Sequence, residues 1–261
     1  MAQGFLTAQV RGHVTEVTMR NAAKHNSFSA AMSTELVDTL REAQGAGSRA
    51  VILRAEPGVK VWSAGHDISE LPDGDQDPLA WTNTLAAMME DVAAFPLPLI
   101  AAVEGGVWGG ACELVMAADI VVAHKASTFA ITPAKLGVAY SSAGISRFLA
   151  ALPVHIAKEM FFTAEPISAQ RAYDFGVVNH LVADADELEL RCWQLADVIS
   201  QRAPLTIRSA KAEIQAMTLP GESVNESAQL RSLRDSAWTS EDYREGVRAF
   251  KERRAPVFGG K

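Results

Sequence analysis

Two strand-like runs, residues 5–10 and 14–19, flank Arg11-Gly12 and predict a short antiparallel hairpin. The apolar period then lengthens. Met32, Leu36, Leu40 and Ala43 fall at helical spacing behind Ser29, a residue suited to cap a helix. Ala50-Val-Ile-Leu53 reads as a buried strand, followed by a long loop to His66. A helix is expected over 78–94, stopping before Phe95-Pro-Leu-Pro98, then a strand over 99–103, a glycine-rich turn, a helix over 110–117 and a strand over 119–123. Strand–helix–strand order of this kind predicts a largely parallel sheet covered by helices, an α/β fold. After Asp184 the pattern turns almost wholly helical, with segments at 187–203, 204–217, 222–237 and 240–254. The expected division is a core over 1–195 and a helical tail over 196–261. With no repeat and no low-complexity linker, the tail is expected to pack on the core or on a neighbouring subunit.

Composition narrows the function. With 48% hydrophobic residues in a chain of 261, one large core is available. The net charge of −7 argues against a nucleic-acid partner, which needs a concentrated basic face. The run Arg248, Lys251, Arg253, Arg254 is a local exception, either a solvated helix face or a contact for a phosphorylated ligand. Cys112 and Cys192 show no metal-ligand spacing and no disulfide framework, which points to a reducing cytosol. The first residues lack the layout of a signal peptide, and the apolar stretch 92–103 is too short for a bilayer and is broken by Pro96 and Pro98. A cytoplasmic protein without a membrane partner is expected. His13, His124, His155 and His180 fall in no recognisable pattern and are assigned structural or exposed positions.

Candidate chemistry concentrates in two loops. Val61-Trp-Ser-Ala-Gly-His-Asp-Ile68 follows a strand, and Glu104-Gly-Gly-Val-Trp-Gly-Gly-Ala-Cys-Glu-Leu114 runs from a strand into a helix. Glycines there let a ligand approach main-chain N–H groups. The first N–H groups of a helix lack internal partners and sit at its positive end, where a developing oxyanion gains hydrogen bonds. Glu113, three residues past Gly110, faces the same side one turn later. Simple close packing of strand on helix is the competing explanation. Nucleotide binding fits poorly, because the segment has neither a P-loop nor the dinucleotide glycine spacing.

Together with Asp119-Ile-Val-Val-Ala123 and the stretch from Phe129 to Leu136-Gly137, these loops resemble the crotonase (enoyl-CoA hydratase/isomerase) superfamily. The resemblance runs from the first hairpin to the tail ending Ala249-Phe-Lys-Glu-Arg-Arg-Ala-Pro-Val-Phe258. It implies a crotonase-like spiral of ββα units, a C-terminal helical trimerisation region, and homotrimers often paired into hexamers. It also implies an acyl-CoA substrate whose thioester oxygen is held by the backbone N–H groups of His66 and Gly110. Coenzyme A would lie against Lys24-His25-Asn26 and Ala64, Asp67 and Ile68, with Phe250 and Arg253 of the tail reaching a neighbour's ligand. No metal and no separate cofactor are implied, coenzyme A being part of the substrate.

One departure refines this. Hydratases of the superfamily use two glutamates. Glu113 matches the first, but the second position falls on Pro133, or on Thr132 or Ala134 after a slip of one, and none of these is a carboxylate. Isomerases that rely on the same position are disfavoured too. The pattern Thr132-Pro133…Leu136-Gly-Val-Ala-Tyr140 instead looks like the methylmalonyl-CoA decarboxylase branch, as do the stretch from Lys60 to Pro72, Asp77-Pro78 and Val107-Trp-Gly-Gly110. That branch gives Tyr140 the catalytic role, a packed aromatic being the plain alternative; Thr132 offers a second hydroxyl or simply suits a turn, and Glu113 is either a relic that orders a water or a proton source for the enolate. The expected reaction is decarboxylation of methylmalonyl-CoA or malonyl-CoA. A hydratase or isomerase using Glu113 is the alternative, and a non-catalytic crotonase-fold binding protein the alternative of another class.

Overall fold

The computed structural model describes residues 4–71, 83–218 and 228–261. The opening runs pair as β1 (Leu6–Arg11) and β2 (Val14–Met19), antiparallel, with Leu6 opposite Met19. The Ser29 hydroxyl caps α1 (Ala30–Gly45) by accepting the Met32 N–H at 3.2 Å, and Met32, Leu36, Val37, Leu40 and Ala43 form the buried face of that helix. In chain order there follow β3 (Ala50–Ala55), β4 (Val61–Ser63), α2 (Asn83–Ala93), β5 (Leu99–Val103), β6 (Gly106–Trp108) and α3 (Gly110–Ala117). Then come β7 (Ile120–His124), β8 (Thr128–Ala130), α4 (Ser142–Ala151), α5 (Val154–Thr163), β9 (Ile167–Ser168), α6 (Ala169–Asp174) and β10 (His180–Val182). The chain closes with α7 (Ala185–Ser200), α8 (Pro204–Thr218), α9 (Ala228–Thr239) and α10 (Glu241–Glu252).

The main sheet has the order β1-β2-β3-β5-β7-β10, parallel throughout except for the opening hairpin. Every residue of β3 and β5 is buried, because helices cover both faces. On one face Leu36, Leu40, Val92 and Leu114 pack against Val51, Leu53 and Ala101. On the other, α7 lays Leu188, Cys192, Trp193 and Ala196 against Ile52, Ile100 and Val122.

A second sheet, β4-β6-β8-β9, was not legible in the sequence. The stretch expected to be only a glycine-rich turn contains β6, which pairs in parallel with β4 and β8. A three-residue strand held by main-chain bonds on both sides leaves no apolar period to read. Helices α4 and α5 were likewise not anticipated. The helix expected over 78–94 is present over Asn83–Ala93, and the one expected over 222–237 is present over Ala228–Thr239; residues 78–82 and 222–227, and with them Asp77-Pro78 and Pro72, lie outside the described residues.

The tail packs on its own core. Lys211 Nζ donates to Leu97 O at 2.9 Å and to Asp119 Oδ2 at 2.7 Å, and Gln215 donates to the Ala93 carbonyl. Arg49 donates to the carbonyls of Ser200 and Phe258. Of the basic run near the end, Arg248 and Arg254 both converge on Glu245, so their charge is spent inside the tail. Among the described residues no helix is long and apolar enough to cross a membrane.

Candidate active site

The loop after the first hairpin is clamped to β4. Asn26 accepts the Asn21 N–H at 2.8 Å and donates to Trp62 O at 2.9 Å, Ser63 Oγ donates to Asn26 O at 2.7 Å, and Ala64 N donates to His25 O at 2.9 Å. These bonds hold His25 and Asn26 in the left-handed region, at φ 53° and 48°, which non-glycine residues seldom enter. Further along, Phe28 N donates to Gly65 O at 2.7 Å and Asp67 N donates to Phe28 O at 3.0 Å. The peptide groups on either side of His66 are thereby turned to Phe28, and the His66 N–H is turned the opposite way.

On that opposite side lies the start of α3. Gly109 anchors it, with its N–H on Ala130 O at 2.9 Å. Gly110 is the first residue of the helix, so its N–H has no partner within the helix. Gly65, at φ +82°, makes the approach possible: a Cβ there would stand 2.6 Å from Gly110 N. A Cβ built on Gly110 would lie 3.6 Å from His66 N. Two backbone nitrogens from distant segments thus share one small region.

Beside them is a cavity of about 140 Å³. His66, Gly110, Glu113, Thr132 and Tyr140, the five expected catalytic residues, all line it. Ala64 and Ile68 line it too, with Leu85, Met89, Leu136 and Val138 supplying much of its apolar wall. Pro133 stands in the wall at the position of the second glutamate of hydratases, while Ala134 is exposed. Lys24, His25 and Asp67 do not line the cavity; Lys24 and His25 are exposed and Asp67 is buried. Lys24 Nζ meets Asp67 Oδ2 at 3.2 Å, and Asp67 Oδ1 caps the turn at Ile68–Glu70 by accepting the Ser69 N–H and hydroxyl. Bonds from Ser69 and Lys24 hold the Asp67 carboxyl below its ordinary value. Burial lowers the His66 imidazole, which is therefore neutral near pH 7. Phe250, 85% exposed on α10, and Arg253, which ends that helix at φ 56°, do not line the cavity.

Glu113 makes two bonds. Its Oε2 accepts the Tyr140 hydroxyl at 2.7 Å, and its Oε1 faces Arg147 Nη1 at 2.5 Å. Arg147 was not anticipated: it lies on α4, whereas Tyr140 precedes the Ser141 cap of that helix, so no helical period in the sequence links the two. The Tyr140 ring is fixed edge-on against Phe148 and Phe161, with centroids 5.8 and 5.3 Å away. Burial, and then the Glu113 carboxylate, push the Tyr140 phenol well above its ordinary value, so it stays a neutral donor. No group of three or more His, Cys, Asp or Glu able to hold a metal ion occurs among the described residues.

A backbone donor pair beside a small apolar cavity with one clamped carboxylate suits a carbonyl that gains negative charge. The sequence profile of the enoyl-CoA hydratase/isomerase family matches residues 9–261. The chain belongs to that family. Among its relatives, methylmalonyl-CoA decarboxylase of Escherichia coli K12 is 39% identical, with all of both chains covered. Carnitinyl-CoA dehydratase of Salmonella typhi is 32% identical over 96% of each chain. The solved structure of methylmalonyl-CoA decarboxylase in complex with 2-nitronate-propionyl-CoA covers all of both chains at 39% identity, with a TM-score of 0.81. The crotonase fold that the resemblance implies is the observed one, and this family member resembles enzymes named for CoA thioester substrates.

Proposed function

We propose that the chain decarboxylates methylmalonyl-CoA or malonyl-CoA, giving propionyl-CoA or acetyl-CoA. The observation that carries this reading is the state of Glu113. It is the one carboxylate among the described residues of the cavity wall, and both its oxygens are engaged, by Tyr140 and by Arg147. Adding water across a conjugated double bond needs a free base and a placed acid. Decarboxylation needs neither at the bond-breaking step. The bond from the α-carbon to its carboxylate breaks, CO₂ departs, and the electron pair passes into an enolate whose charge rests largely on the thioester oxygen. A proton from water, delivered to the α-carbon, completes the product.

The N–H groups of His66 and Gly110 are aimed at that oxygen, and losing one such donor typically costs roughly 10²–10³ in rate. The leaving carboxylate needs orientation without strong binding, because a cation clamped on it would stabilise the ground state and oppose reaction. Tyr140 and Thr132 offer neutral hydroxyls for this. The cavity of about 140 Å³, with its largely apolar wall, suits a short acyl head. On the same reading, Lys24, His25, Ala64 and Ile68 border the path of coenzyme A, with Phe250 and Arg253 of a neighbouring subunit beyond them.

Tyr140→Phe removes one hydroxyl and little volume. Decarboxylation of methylmalonyl-CoA should fall at least about tenfold with the circular dichroism spectrum unchanged. Turnover at the unsubstituted rate would contradict the role given to Tyr140.

A further inference from the structure

Arg147 and Glu113 form an ion pair with side chains only 11% and 10% exposed. Removing two charges from water costs several kcal/mol each, and apolar residues in their place are often as stable or more so. Stability alone does not account for such a pair in the wall of a reaction cavity. Its geometry is specific. Arg147 does not line the catalytic cavity but lines two others, of about 500 and 540 Å³, beneath α8. It reaches Glu113 from behind, where substrate does not touch it. Its one side-chain hydrogen bond among the described residues goes to Glu113, and its buried Nε has none.

Tyr140 has a single proton to donate, and in this structure it goes to Glu113. To orient a substrate carboxylate, the hydroxyl must turn away from Glu113. An uncompensated Glu113 would resist that turn, and it would also repel the incoming carboxylate at short range. We propose that Arg147 is a positioning residue that compensates the charge of Glu113 from behind the cavity wall, so that Tyr140 can pass its hydrogen bond from Glu113 to the carboxylate of the substrate. This rests on the decarboxylase reading above. Glu113 then holds Tyr140 in place between turnovers and takes no proton in the reaction.

The test compares Arg147→Met, Arg147→Lys and the double variant E113Q/R147M. Each is assayed for methylmalonyl-CoA turnover and for inhibition by propionyl-CoA, which lacks the carboxylate. In R147M, kcat/KM should fall at least about tenfold, while the propionyl-CoA inhibition constant changes less than about twofold. That constant also reports an intact site. R147K, which keeps the charge, should stay within about fivefold of the unsubstituted protein. The double variant, with no charge left to compensate, should exceed R147M by at least about fivefold. An R147M protein that binds propionyl-CoA normally and turns over methylmalonyl-CoA at the unsubstituted rate overturns the inference alone. So does a tenfold loss in R147K with its site intact, or a double variant with an intact site that is no faster than R147M. If the unsubstituted protein leaves methylmalonyl-CoA untouched, the functional reading falls and the inference falls with it.

Discussion

At the scale of single residues, the site depends on how closely two backbone segments approach. Gly65 decides that distance. Its φ of +82° disfavours any side chain, and a Cβ would press on Gly110 N at 2.6 Å and on Trp108 O at 2.5 Å. Gly65→Ala should therefore wedge the His66 and Gly110 N–H groups apart. A loss of roughly 10²–10³ in kcat is expected, the size associated with one misplaced oxyanion donor. Steady-state rates on the folded variant check this, and a rate within about threefold of the unsubstituted protein would contradict the arrangement. Tyr140 is held by different means, through ring packing on Phe148 and Phe161 and a bond to Glu113. Its position is set by neighbours from α3, α4 and α5, far apart in sequence.

At the scale of elements, legibility followed the length of the local signal. The hairpin, α1 behind Ser29, and the buried strands β3 and β5 each carry a run long enough to show its period, and they appear where the sequence predicts them. The second sheet does not, because β4, β6, β8 and β9 are three residues or fewer and are defined by pairing across the chain. The same division runs through the site. His66, Gly110, Glu113, Thr132 and Tyr140 were assigned by motif, and all five line one cavity. Arg147 lies outside those motifs. Its meaning comes from the crossing of α4 over α3, which brings it to Glu113 across 34 positions of sequence. The C-terminal basic run shows the reverse case. Four cations in sequence look like one patch, but Glu245 neutralises Arg248 and Arg254, and their guanidinium groups hold its carboxyl well below its ordinary value.

At the scale of the whole molecule, the surface carries large apolar groups that a lone chain leaves in water. Phe250 is 85% exposed, Val257 79%, Met217 64% and Trp238 63%, all in the helical tail or just past it. The trimer or hexamer expected for the family would give them partners, and light scattering should return three or six times the 28.0 kDa chain mass. A monomer at that measurement would remove the neighbour's Phe250 and Arg253 from the proposed coenzyme A path. The central claim is chemical, and one experiment addresses it directly. The purified protein is incubated with methylmalonyl-CoA and, separately, with crotonyl-CoA, and the products are followed by mass spectrometry. With Glu113 tied to Tyr140 and Arg147, and a donor pair at His66 and Gly110, the expected result is propionyl-CoA from the first and little 3-hydroxybutyryl-CoA from the second. A tenfold preference needs only about 1.4 kcal/mol in the barrier, so slow hydration is compatible with the account. Fast hydration of crotonyl-CoA with no release of CO₂ from methylmalonyl-CoA would contradict it.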